Sequence, residues 1–262
     1  MRYPLLELLL YKNKVNKKLI IFILVKCIQK MGVRGLFSYS RKYLKPYKND
    51  TNLRVGVDVS SLLYRFKGNF KEIYTFLDPI LQNKLLFVFD GKAPKYKEKE
   101  LELRAESKQQ SENRIKLLRD SLEKNLNTET EILIKNRIKD LEHDSWNISI
   151  EVIQDFKEFL KLKNLYYVKS ISEADLLLVD LYYHNYIDAV LSNDMDYLIS
   201  GVDTLLINVN GTLKVLKLSE ILESEDINIE QFREVAVLCG NRSEYSLCDD
   251  IDTAIIKGPI LY

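Results

Sequence analysis

Six carboxylates stand just past strand-like runs, where an acid can do chemistry. Asp58 follows RVGV, Asp90 follows LLFVF, Glu173 and Asp175 follow NLYYVKSIS, and Asp194 and Asp196 follow DAVLSN. In an open parallel sheet the ligand crevice lies outside the carboxyl ends of the strands, so four strand ends would deliver these acids to one place. Like charges so close repel at any reasonable dielectric, and protons or cations must neutralise them. All-oxygen donors without His or Cys select Mg²⁺ or Mn²⁺ rather than zinc. Carboxylates with two Mg²⁺ ions are a usual apparatus for phosphodiester hydrolysis, in which one ion lowers the pKa of water and both offset charge on the reacting oxygens.

Each acid also has a plainer reading. Asp58 can cap a helix beginning near Ser60, and Asp90-Gly91 is a turn signal. Ser172-Glu173-Ala174-Asp175 fits a capping box, and Asp194 and Asp196 can be solvated in a loop. Singly, the plain reading is the commoner one; four acid-bearing strand ends in succession weaken it, and capping and ligand roles are compatible. After Asp90 come Lys92, Lys95, Lys97, Lys99 and Arg104. Lys97 and Arg104 are seven apart and would share a helix face, able to hold a phosphate and offset transition-state charge. A solvated charged helix is the equal alternative, because Glu98, Glu100 and Glu102 interleave.

The elements that must position these groups alternate. Residues 54–59 (RVGVDV), 85–89 (LLFVF), 165–168 and 189–191 read as strands. Residues 205–209 and 213–216 flank Asn210-Gly211, a hairpin signal. Residues 98–162 are charged and proline-free, with Ile115, Leu118 and Leu122, then Ile132, Leu133, Ile138 and Leu141, at helical spacing. Strands separated by helices predict an α/β fold, a mostly parallel central sheet covered on both faces.

Composition excludes several classes. The 262 residues have 46% hydrophobic and 29% charged side chains, which is globular rather than disordered. No G-x-G and no P-loop pattern occurs. Only His143 and His184 are present, and Cys27, Cys239 and Cys248 have neither zinc nor disulfide spacing, which favours a reducing, intracellular setting. The formal net charge of +1 is a sum over opposed parts. Residues 1–30 hold seven basic residues and one acid, whereas 221–262 hold three and nine. Lys12, Lys14, Lys17 and Lys18 precede the apolar run 19–25, in signal-peptide outline but without an A-x-A-like site. That run is too short to span a bilayer, and no membrane partner is expected.

With these residues in place, the chain resembles the flap endonuclease/XPG (Rad2-like) family of structure-specific 5′ nucleases. Met31-Gly32-Val33-Arg34-Gly35-Leu36 is similar to the family's amino-terminal M-G-[IV]-x-G-L. The segment from Val57-Asp58 to Tyr64 is similar to D-A-S-x-x-[IL]-Y. Phe87-Val88-Phe89-Asp90-Gly91-Lys92-Ala93-Pro94 is similar to V-F-D-G-K-P-P. Ser172-Glu173-Ala174-Asp175 resembles S-E-A-E-A, and the stretch from Ser192 to Gly201 resembles [ST]-x-D-M-D-x-L-x-x-G. Five motifs in the family's order make the resemblance specific; it runs from Met31 to about Gly240 and is loosest between Glu106 and Lys163.

The resemblance implies a PIN-like 5′-nuclease fold with a helical arch insertion, binding two Mg²⁺ ions (Mn²⁺ as the alternative). Asp58, Asp90, Glu173 and Asp175 would hold one ion, and Asp194 and Asp196 the second, with Asp175 near both. Lys97 and Arg104 would contact the scissile phosphate. Tyr64 would stack on a base, with Gly32 and Lys92 also on the substrate side. The implied substrate is flap or branched DNA, met by a monomer in DNA replication, repair or recombination, in the nucleus or at a viral replication site. The alternative is a degenerate branched-DNA-binding module of the same fold. Residues 31–220 would form the nuclease domain (31–104, an arch at about 98–150, and 151–220). Residues 221–262 would be the shortened start of the family's carboxyl-terminal DNA-binding helical module, without a sliding-clamp peptide.

Departures are specific. Asp175 stands where the family has Glu. The family's last metal-site Asp, in G-x-D-Y, meets Arg242 without a gap or Glu244 with a two-residue insertion after Gly240. Residues 1–30 precede the family's usual start, so translation from Met31 is expected, and the lysine-, asparagine- and isoleucine-leaning composition resembles copies carried by large DNA viruses.

Overall fold

The computed structural model describes Val33 and residues 35–94, 97–122, 128–239 and 251. In chain order its elements are α1 (Leu36–Ser40), β1 (Lys45–Pro46), β2 (Arg54–Asp58), α2 (Val59–Phe66), α3 (Phe70–Leu77), β3 (Lys84–Phe89), α4 (Glu98–Leu122), α5 (Thr128–Asp144), α6 (Ile150–Leu162), β4 (Tyr166–Lys169), α7 (Ala174–Tyr183), β5 (Ala189–Leu191), α8 (Asp196–Ile199), β6 (Thr204–Val209), β7 (Thr212–Lys217), α9 (Leu218–Ser224) and α10 (Ile229–Leu238). They divide into two units, residues 49–192 and residues 1–48 with 193–262.

The unit of residues 49–192 holds an all-parallel sheet in the order β5-β2-β3-β4. β2, β3 and β5 are largely buried, as expected where helices cover the sheet, whereas β4 at the edge is mostly exposed. Val55, Val57, Phe87, Val88, Ala189 and Val190 are fully buried, against Leu63, Ile73, Leu77, Phe156, Leu160 and Leu178 of the helices. Gly56 has a steric reason. A Cβ there would lie 2.4 Å from Leu178 Cδ2 and 2.6 Å from Ile187 Cδ1, so α7 packs directly on the β2 backbone. Below the sheet, Arg54 donates from Nε and Nη2 to Asp188 at 2.8 and 2.5 Å. Those bonds hold the Asp188 carboxyl below its usual range.

Helices α4 and α5 share a small apolar cluster of Ile115, Ile138 and Leu141, flanked by Leu118, Leu122 and Ile134. The helical spacing read from the sequence is confirmed with one correction. Ile132 and Leu133 are 54% and 63% exposed; Ile134 takes the inward position, because only it lies one turn from Ile138.

The other unit is antiparallel. β6 and β7 form the expected hairpin, in register from Thr204↔Lys217 to Val209↔Thr212. Asn210 and Gly211 both have positive φ, 51° and 79°, the requirement of the turn that matches strand twist. β1 adds antiparallel to β7. The mostly parallel expectation therefore holds for residues 49–192 and not for this unit, where a two-residue turn permits only antiparallel pairing. Its core includes Tyr197, Leu205, Leu206, Ile207, Leu216, Ile221 and Phe232. Glu225 receives the Tyr43 hydroxyl and, at 2.9 Å, the Lys42 ammonium. Burial pushes the Glu225 carboxyl up, but Tyr39, Tyr43 and Lys42 outweigh it and bring it down to about 2. Among the described residues, no helix is long and apolar enough to cross a membrane.

Candidate active site

The parallel sheet sets the acids of residues 49–192. Asp58 pairs in register with Val88, so Asp90 emerges two residues further along the neighbouring strand, at the same edge. Asp58 is 8% exposed. Its Oδ1 accepts from Ser61 N at 3.1 Å, capping α2, and its Oδ2 accepts from Ser192 Oγ at 2.9 Å just past β5. The capping role read for Asp58 is present, and it fixes the carboxylate between two strand ends.

Asp90 ties three elements together. Its Oδ2 accepts from Ser60 Oγ at 2.5 Å and its Oδ1 from Ala174 N at 2.7 Å. Gly91 N donates to Ser172 O at 2.6 Å and Lys92 N to Ile171 O at 3.2 Å, so the turn after β3 runs against the turn after β4. A Cβ on Gly91 would lie 2.1 Å from Ser170 O; only glycine permits this approach.

The capping box at Ser172 is not formed. Glu173 is the residue that precedes α7, and it makes no side-chain cap. Ser170 Oγ donates to Glu173 O at 3.0 Å, and Asp90 supplies the acceptor for the first helical N–H. A carboxylate from beyond a neighbouring strand does the capping, while Asp175 Oδ1 accepts from Leu176 N at 2.7 Å. Glu173 pairs with the Lys97 ammonium, and both side chains are largely buried, at 15% and 23% exposure. Asp175 is half-buried in the first turn of α7, where the helix dipole favours negative charge.

Lys97 lies in the helical turn that leads directly into α4, which begins at Glu98. It turns toward Glu173. Arg104 lies within α4, with its side chain outside the described set. Lys92 is exposed and meets this edge through its backbone. Tyr64, on α2, is 43% exposed and makes an edge-to-face contact with Trp146 at 5.8 Å between centroids. Trp146 was not singled out from the sequence: a lone aromatic in a polar stretch carries no periodic signal. Gly32 and Glu244 lie outside the described residues.

In the other unit, Asp194 is exposed and its Oδ1 accepts from Asp196 N at 2.9 Å, shaping the turn into α8. Asn193 holds this loop by donating from Nδ2 to Asn208 O at 2.8 Å and accepting from Asn208 N at 3.3 Å. Arg233 of α10 donates from Nε to Ile199 O at 2.9 Å, closing the end of α8.

Among the described residues, no three His, Cys, Asp or Glu side chains form a ready-made metal cage. Asp58, Asp90, Glu173, Asp175 and Asp194 each accept from protein donors. The chemistry of the donor set still fits a hard divalent cation, because its acids and hydroxyls offer oxygen alone. Lys97 on Glu173 is a cation already seated at this edge.

Comparison with known proteins adds the following. The family model for the XPG I-region matches residues 164–241. Flap endonuclease 1 of Theileria parva is 26% identical over 87% of this chain and 49% of its own length. Flap endonuclease 1 of Enterocytozoon bieneusi (strain H348) is 31% identical over 59% of this chain and 42% of its own. A RAD2-like endonuclease, 095R, of Frog virus 3 (isolate Goorha) is 26% identical over 80% and 70%. The chain thus spans about half the length of the flap endonucleases it matches. In structure it is similar to the catalytic core of Rad2 in complex with DNA substrate, with a TM-score of 0.59, 19% identity, and coverage of 86% of this chain and 66% of that one. The flap endonuclease-1 from Methanococcus jannaschii gives a TM-score of 0.56 at 18% identity, over 87% and 77%. These likenesses show the fold.

Proposed function

Taking as premise that this chain belongs to the XPG/Rad2 family, we propose that it is a divalent-metal-dependent, structure-specific DNA nuclease that cuts flap or branched DNA. The observation that supports this reading most is the Asp90 carboxylate, bonded to Ser60 and to Ala174. It ties the start of α2, which follows Asp58, to the start of α7, which follows Glu173.

Asp58, Asp90, Glu173 and Asp175 would hold one Mg²⁺ or Mn²⁺ ion; the family pattern assigns Asp194 and Asp196 to a second, with Glu244 as the last acid. When bound, such ions lower the pKa of water and offset charge on the reacting phosphate. The residues supply the rest. Ser61, Ser192, Ser60 and Ala174 hold Asp58 and Asp90 in fixed directions, so little reorganisation is needed when charge develops. Lys97 brings an ammonium to the same edge, where it can exchange Glu173 for a phosphate oxygen, with Arg104 as its partner. Tyr64 offers a ring to an unpaired base, a contact tolerant of sequence; Gly32 and Lys92 complete the substrate side.

A 5′-labelled flap, its fully duplex counterpart and the single strand, each incubated with Mg²⁺, test the reading. Preferential cutting of the flap near its junction is expected; equal cutting of all three contradicts it. A second reading has its own support, in Arg242 at the ungapped position of the family's last Asp and in the lack of a ready cage among the described residues. It makes the protein a branched-DNA-binding module, for which flap binding without cutting at saturating Mg²⁺ or Mn²⁺ is the signature.

A further inference from the structure

The family resemblance assigns a stacking role to Tyr64 and none to the chain's single tryptophan. Trp146 lies in the segment between α5 and α6, half-buried. Its ring meets the Tyr64 ring edge-on, at 5.8 Å and 84°. The Tyr64 hydroxyl donates to Asn147 Oδ1 at 3.4 Å, and Asn147 Nδ2 donates to Ser145 O at 3.1 Å. Lys67, in the left-handed conformation that ends α2, sets its ammonium 5.8 Å from the Trp146 ring. Gly68 follows with φ +71°, and a Cβ there would be 3.2 Å from the indole. The end of α2 and the foot of α5 are therefore fitted to each other around one indole.

Two partly exposed rings beside an ammonium are the chemistry that takes single-stranded nucleic acid: π-faces for bases and a cation for the backbone. We propose that Trp146 is a positioning residue for Tyr64 and the second ring of an aromatic notch that receives one unpaired nucleobase, with Lys67 beside it for the adjoining phosphate. The inference rests on the nuclease reading for the identity of the nucleic acid. The notch is tied to the acidic edge by α2, in which Tyr64 lies about 6 Å along the axis from Ser60.

Because Trp146 is the only tryptophan, its emission reports on the notch directly. The full chain is titrated with flap DNA in EDTA, where no cutting can occur. A series of flaps then carries one abasic nucleotide, walked across the junction. Trp146 emission should change on saturation with the intact flap, and one abasic position should abolish the change. Trp146→Ala should weaken binding of the intact flap by about fivefold or more but leave the abasic flap at that position within twofold of wild type. Trp146→Phe should recover most of the loss. Unchanged emission at saturating flap overturns the proposal. So does an equal loss on intact and abasic flaps, which a merely structural indole would give. If emission responds as expected while Mg²⁺ produces no cutting, the notch stands and the nuclease reading fails.

Discussion

At Gly91 the chain has no room for a side chain, and the obstacle is backbone: Ser170 O at 2.1 Å and Ile171 C at 2.7 Å from a Cβ built there. Gly91→Ala should separate the turn after β3 from the turn after β4 and draw Asp90 off Ala174 N. A loss of about 2 kcal/mol in chemical denaturation is expected, with at least tenfold slower flap cutting. Glu225 gives a second prediction at this scale. Its carboxyl is held at about 2, below its unfolded value, so the stability it contributes is present above pH ~4.5 and is lost as pH falls toward 2. The stability gap between wild type and Glu225→Gln should narrow by about 2 kcal/mol between pH 7 and pH 3, as measured by urea denaturation. The acids themselves were legible as residues following apolar runs. Their partners were not. Local spacing pointed to Ser172 as the cap of α7, whereas Asp90, 84 positions earlier, supplies it, and no short window of sequence contains that pair.

Among the elements, α4 and α5 stand out for how little apolar surface they share. Among the described residues, a cluster of three buried side chains and three flanking ones serves helices of 25 and 17 residues. Few buried contacts mean low local stability. Amides of α4 and α5 should therefore exchange with deuterium well before those of β2 and β3, and protection equal to the sheet would contradict this. Ile138→Ala should accelerate that exchange further while leaving β2 and β3 unchanged. Periodicity identified this pair of helices, and the Asn210-Gly211 signal identified the β6–β7 turn, because both are properties of adjacent residues. Helical spacing did not show the partner of Lys97. Its pairing with Glu173 crosses 76 positions.

For the whole molecule, a net charge of +1 is compatible with a nucleic-acid ligand when the charge is divided locally. On the proposed reading, the acidic edge would take up cations before a phosphate approached, and Lys97 and Lys67 would meet backbone charge. The resemblance was legible in the sequence because the motifs keep their order; the XPG I-region match over residues 164–241 spans two of them, and the likeness to the Rad2 core shows the fold. The aromatic notch was not legible, since it joins residues 82 positions apart. The central claim, that strand-end acids and a divalent ion cut branched DNA, is tested most directly by the rate at which a 5′-labelled flap is cut in Mg²⁺ by wild type and by Asp194→Ala side by side. The account predicts cutting by wild type that EDTA abolishes, and a rate at least a hundredfold lower (about 3 kcal/mol) for the variant. No cutting by wild type, or equal cutting by both proteins, would contradict it.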